Sequence, residues 1–261
     1  MTINALSTAT RDGVNLRYLD TGSGNPPLVF IHGWCCDHTY WRDQLPEFAR
    51  RHRVIAVDLR GHGQSDKPDQ DYTIGGFADD VAWLIRRLEL HQPVVIGHSM
   101  GGVIALNLIR NHLDLARAGV IVDSPVVPLG PAFEPVKARL LGGLRSPAYQ
   151  QVAATFVDNF LFRPESPEQL REEVIAGMTS APPRVMATAL ESTLDEENIR
   201  TGPLPVPALF LRAATLPNPE DQIREAYPGM EVRTLDAAHF IQMEKPAEFN
   251  GILQDFLEKV R

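Results

Sequence analysis

Six short strand-favouring runs punctuate this chain: Leu28–Gly33 (LVFIHG), Arg53–Leu59 (RVIAVDL), Pro93–Ser99 (PVVIGHS), Ala118–Ser124 (AGVIVDS), Pro207–Ala213 (PALFLRA) and Glu231–Ala237 (EVRTLDA). Between them lie helical patterns near Tyr40–Arg51, Ile74–Leu90, Gly101–Asn111, Pro219–Tyr227 and Pro246–Val260. Several of the runs are apolar throughout, as strands are when helices cover both faces of their sheet. Strands alternating with helices are joined by right-handed crossovers. The fold class expected is therefore α/β: a mainly parallel, doubly wound sheet of about eight strands with helices on both faces. The stretch VNLRYLDTG, from Val14, alternates apolar and polar residues and reads as an antiparallel edge.

The alternation stops between about Pro125 and Pro205. No strand pattern occurs there, and Ser146-Pro147 and Ser166-Pro167 each offer an N-cap serine before a proline at the first helical position. Ser166 also has Gln169 three residues on, a capping-box spacing. We read 125–205 as a helical lid inserted between two core strands, with residues 1–124 and 206–261 forming the core.

At 261 residues the chain is long enough for one sizeable core plus such an insertion. Its net charge of −8 argues against nucleic-acid and anionic-membrane partners. The start, MTINALSTATRDG, has neither the basic nor the apolar region of a signal peptide. The two cysteines, Cys35 and Cys36, are adjacent, which leaves no disulfide framework and fits a cytoplasmic location. They read as small buried filler.

The run at Pro93–Ser99 breaks into Gly97-His98-Ser99-Met100-Gly101-Gly102 and then a helical pattern. A strand entering a helix through Gly-x-Ser-x-Gly makes a tight turn that lifts the serine above the strand end. The glycines are needed because side chains there would strike strand or helix. Ser99 is the candidate nucleophile. With this motif on the page, the chain resembles the α/β-hydrolase superfamily over nearly its whole length. FIHGW (Phe30–Trp34) resembles the oxyanion loop of that family, DLRGHGQSD (Asp58–Asp66) the turn after its next strand, and AAHF (Ala237–Phe240) the loop carrying its histidine.

The resemblance makes His239 the general base among eight histidines. It gives His32 a packing role. His62 reads as holding a glycine-rich loop, and His98 as pointing away from the substrate face. His52, His91 and His112 read as solvated at helix ends. Backbone N–H groups of Trp34 and Met100 are the expected oxyanion donors. The orienting acid is less plain, because the loop after Pro207–Ala213 runs Ala214-Thr215-Leu216-Pro217 and carries no carboxylate. Glu220, Asp221, Asp236 and Asp123 compete. Asp123 closes the strand following the nucleophile's helix and so reaches the same sheet edge as Ser99; we favour it.

A serine nucleophile argues against dehalogenase and epoxide hydrolase chemistry. Hydrolysis of a carboxylic ester or lactone through an acyl-enzyme is the leading reading, with a small-molecule ester or lactone as partner, no cofactor and no metal. Trp34, His38, Phe133, Phe156 and Phe160 are the expected substrate contacts, with Leu140 and Met178 as further lid candidates. GWCCDH (Gly33–His38) also resembles cofactor-independent dioxygenases of N-heteroaromatic rings, although Met100 replaces the second histidine of their elbow. That is the second reading, and a non-catalytic small-molecule binder the third.

Overall fold

A computed structural model describes residues 5–261. Eight strands form one sheet in the order β1-β2-β4-β3-β5-β6-β7-β8: β1 (Ser7–Arg11), β2 (Val14–Thr21), β3 (Leu28–Ile31), β4 (Val54–Asp58), β5 (Val94–His98), β6 (Ala118–Val122), β7 (Ala208–Ala213) and β8 (Glu231–Leu235). β1 and β2 pair antiparallel, β2 meets β4 antiparallel, and every pairing from β4 to β8 is parallel. The edge is thus β1, one strand further out than the sequence suggested. β1 reads STATR with only Ala9 buried, so no apolar run announces it.

The continuously apolar strands divide their side chains between two cores. Val29, Ile31, Ile55, Val57 and Val95 pack on one face, against helices α2 (Ile74–Arg87) and α3 (Met100–Asn111). Leu28, Phe30, Val54, Ala56, Val94 and Ile96 pack on the other. That second face is covered by the short α1 (Leu45–Phe48) and the C-terminal α10 (Pro246–Lys259). Burial on both faces explains why no polar residue interrupts these runs.

Between β6 and β7 the chain forms no strand but four α-helices, α4 (Glu134–Leu144), α5 (Tyr149–Phe160), α6 (Glu168–Thr179) and α7 (Pro183–Thr193), with short 3-10 turns at Pro131–Phe133 and Glu196–Asn198. α7 seats this layer on the sheet-side helices. Its Thr188 and Ser192 hydroxyls accept the backbone N–H groups of Tyr72 and Ile74, at 3.0 and 2.9 Å, where α2 begins. Two local expectations fail here. α6 begins at Glu168 after an extended Pro167, and the Ser166 hydroxyl accepts the Arg163 N–H instead of capping that helix. Ser146 caps the turn before α5, accepting from Ala148 N, while the helix itself starts at Tyr149. The remaining helices are α8 (Glu220–Ala226) and α9 (Ile241–Glu244). No helix among the described residues is long and apolar enough to cross a membrane.

After β3 the chain crosses to β4 on one side, then returns past β3 to β5 on the other. Such a reversal opens a crevice at the carboxyl ends of the strands, where ligands bind in sheets of this kind.

Candidate active site

The sharpest backbone feature at that crevice is Ser99. It joins β5 to α3 with φ 54° and ψ −119°, a strained conformation costing on the order of 1–3 kcal/mol. Its N–H donates to Val122 O of β6 at 2.8 Å and its carbonyl accepts from Gly102 N at 2.9 Å, which holds the turn. A Cβ on Gly97 would sit 2.0 Å from the Gly101 carbonyl oxygen, and one on Gly101 would sit 2.3 Å from Ile31 O. Only glycine allows the helix to leave the strand this closely. The N–H of Met100, at the start of α3, finds no acceptor in the chain among the described residues, and the same holds for Trp34 N–H.

Asp123 stands at the end of the next strand, also at positive φ (42°), its N–H bonded to Leu211 O at 2.8 Å. One carboxylate oxygen accepts from His239 Nδ1 at 2.7 Å, the other from Ala213 N–H at 2.7 Å. The β7 end that lacks an acid of its own therefore supplies a donor that orients its neighbour's. The competing carboxylates are engaged elsewhere: Glu220 with Arg224 and Thr234, Asp236 with Arg163, and Asp221 with the start of its own helix.

His239 is held from below by His98. The His98 ring lies 4.7 Å from it, and its Nε2 donates to the His239 carbonyl at 2.9 Å. Burial, together with the neighbouring His239, holds His98 well below its ordinary pKa, so it is neutral and serves as a donor. The sequence placed His98 away from the site; the side chain does turn inward, but as a support under the histidine that also lines the cavity. The other histidines divide as follows. His32 accepts from Leu59 N at 3.0 Å and His62 bonds Arg60 O at 3.0 Å, with burial pushing His62 down to about 3. His52, expected to be solvated, is buried and bonds Pro26 O at 2.8 Å.

Ser99, Asp123 and His239 line one cavity of about 190 Å³, otherwise almost wholly apolar. Trp34, Phe133, Phe156 and Phe160 also line it, as does Met178. The aromatics form a ladder: Trp34 meets Phe156 edge-on at 6.0 Å, and Phe156 stacks on Phe160 at 5.3 Å, which is 63% exposed at the outer end. Trp34 Nε1 donates to Met186 O of α7 at 2.9 Å, tying the loop after β3 to the helical layer. Cys35 and Cys36 are buried free thiols, and Cys36 reaches the cavity.

Two expected contacts are corrected. Leu140 does not line the cavity; it is buried within the core around Leu141 and Leu144. His38 does not line it either. Its Nδ1 and backbone N–H both bond one oxygen of buried Asp58, each at 2.8 Å, and this commits the ring to a neighbouring cleft. Three contributors to the site had no signal in the sequence: the N–H of Ala213, the inward turn of His98, and Leu161 O, which accepts His239 N–H at 3.2 Å. Two of these are backbone groups and the third is a rotamer.

The α/β hydrolase fold family matches residues 26–202, more than half of the chain. The chain belongs to this family. An esterase from Thermogutta terrifontis, solved with malate bound, superposes with a TM-score of 0.81 at 27% identity, covering 98% of this chain and 97% of the other. Est816, described as an N-acyl homoserine lactone degrading enzyme, superposes at 0.78 with 28% identity over 96% of this chain and all of its own. In sequence, the AB hydrolase superfamily protein YisY of Bacillus subtilis (strain 168) is 41% identical over 104 residues. That match spans 40% of this chain and 38% of the Bacillus protein.

Proposed function

We propose that this α/β hydrolase is a serine hydrolase that cleaves a carboxylic ester or lactone through an acyl-enzyme, with residues 125–205 as the cap over its acyl pocket. The observation that carries the reading is the 2.7 Å hydrogen bond from His239 Nδ1 to Asp123, in the cavity that also holds Ser99 on its strained turn. With Nδ1–H donated to Asp123, Nε2 is left as the base facing the cavity. Ser99 Oγ attacks the substrate carbonyl carbon while its proton passes to His239 Nε2. The resulting imidazolium is stabilised by Asp123. Charge on the carbonyl oxygen is met by the N–H groups of Trp34 and Met100, each worth about 3–4 kcal/mol of barrier. Collapse of the tetrahedral intermediate breaks the ester bond, and the leaving alkoxide takes the proton from His239. Water then repeats the sequence on the acyl-serine and frees the acid.

The likeness to an esterase and to an acyl-lactone degrading enzyme, each above 25% identity over nearly the whole chain, supports the same reaction class. The dioxygenase reading is weakened at the elbow, where Met100 stands in place of the second histidine of that pattern. A simple binder leaves the Asp123–His239 pair without a purpose. The decisive experiment compares kcat/KM for p-nitrophenyl butyrate in wild type and Asp123→Asn. Turnover by the wild type with a loss on the order of 10²–10⁴ in the variant is expected. An inactive wild type that consumes oxygen with a heteroaromatic substrate would overturn the reading.

A further inference from the structure

The base is gripped from the cap as well as from the sheet. Leu161 caps the C-terminus of α5, and its carbonyl is among those that a helix leaves without an internal partner. The backbone N–H of His239 occupies it at 3.2 Å. One residue on, the Phe162 ring stacks on Phe240 at 5.5 Å with 26° between planes, both rings buried. One residue further, Arg163 donates through Nη1 to Asp236 Oδ1 at 2.7 Å and through Nη2 to Asp236 O at 3.3 Å. Three consecutive cap residues thus meet three positions of the loop 236–240. Ser166 braces the grip, its hydroxyl accepting Arg163 N–H and its N–H returning to Arg163 O at 3.0 Å.

We infer that Leu161-Phe162-Arg163 is a clasp through which the cap positions His239, and that Arg163 is a positioning residue for the reaction. The inference rests on His239 being the base. The same helix that ends at the clasp carries Phe156 and Phe160 on the cavity wall, so α5 joins acyl recognition to base placement. A substrate seated against those rings steadies α5, and α5 steadies the imidazole. Small displacements of a reacting group are enough to cost large factors in rate. The ion pair itself adds little to stability, because the Asp236 side chain is 86% exposed. Function and stability therefore separate on substitution.

The test uses Arg163→Gln, Arg163→Lys and Asp236→Asn in the full chain. Hydrogen exchange of the segment 236–240 is measured first, since it requires no substrate. Arg163→Gln is expected to speed exchange of the His239 amide about tenfold with Tm nearly unchanged. With p-nitrophenyl butyrate, kcat is expected to fall about tenfold at a KM within about twofold of wild type. Arg163→Lys should restore part of the loss, and Arg163→Gln combined with Asp236→Asn should cost no more than either alone. Unchanged exchange at His239 overturns the clasp, whether or not the ester is turned over. So does a kcat loss that merely follows a fall in Tm. A wild type that fails to hydrolyse esters, yet exchanges faster at His239 in Arg163→Gln, would keep the clasp and sink the proposed reaction instead.

Discussion

The two walls of the cavity are built by different means. On the sheet side, Ser99, Asp123 and His239 stand on turns at the ends of β5, β6 and β8, each turn pinned by backbone hydrogen bonds to a neighbouring strand or helix. On the cap side, Phe133, Phe156, Phe160 and Met178 reach the cavity from three separate helical turns, held by side-chain packing and a few polar contacts. Substitution on the first wall should therefore act on the chemical step. Substitution of the cap side chains that line the cavity should act on what is bound, the clasp at 161–163 excepted.

The sharpest break comes from Ser99→Ala. Removing the attacking oxygen while keeping the Cβ and the strained turn should lower kcat by a factor on the order of 10⁴ or more in a p-nitrophenyl butyrate assay, with Tm barely changed. A variant that kept most of its activity would transfer the chemistry to another group. On the cap side, Phe156→Ala removes the middle rung of the aromatic ladder. KM for a medium-chain ester should rise about tenfold, close to 1.4 kcal/mol of lost contact, while kcat for an acetyl ester stays near wild type. A kcat loss equal for both esters would erase the distinction between the walls, or show that α5 acts through His239 alone.

That distinction also sets how much could be read from sequence. The strand-like runs and the elbow are local patterns; this is why a mainly parallel sheet, Ser99 and the loop of His239 were legible. Asp123 was legible only as the best of four carboxylates. Its contact with His239 goes with the Ala213 N–H and the register of β6 against β7, a tertiary pairing between residues 90 positions apart. β1 escaped because its residues are polar and it is buried at one position only. On the cap, Phe133, Phe156 and Phe160 were plausible as aromatic residues in helical patterns, but so was Leu140, and nothing local separates a side chain that faces the cavity from one that faces its own helix neighbours.

His38 tests the boundary between the two walls, since it sits just beyond Trp34 yet faces neither the nucleophile nor the cap. Burial alone would depress its pKa, but the hydrogen bond and charge of Asp58 outweigh burial and raise it above the ordinary 6.5. Asp58 is held below its ordinary 3.8, since His38 and the Gln64 N–H outweigh its own burial. The signs define a window. The His38 contribution is complete below 6.5 and fades as pH rises through the raised value; the Asp58 contribution is complete above 3.8 and fades as pH falls through the depressed one. His38→Ala should therefore cost about 1–2 kcal/mol of stability between those two values and less at alkaline pH, measured by urea unfolding across the range. Its effect on ester turnover should be far smaller than that of Asp123→Asn, because only the second removes a group from the cavity. A stability loss that stayed flat from pH 5 to pH 9 would mean the ring acts by packing and not by its charge. A loss of turnover matching that of Asp123→Asn would mean that the loop after β3 needs the Asp58 anchor to present the Trp34 amide, and the sheet-side wall would then extend through His38 to β4.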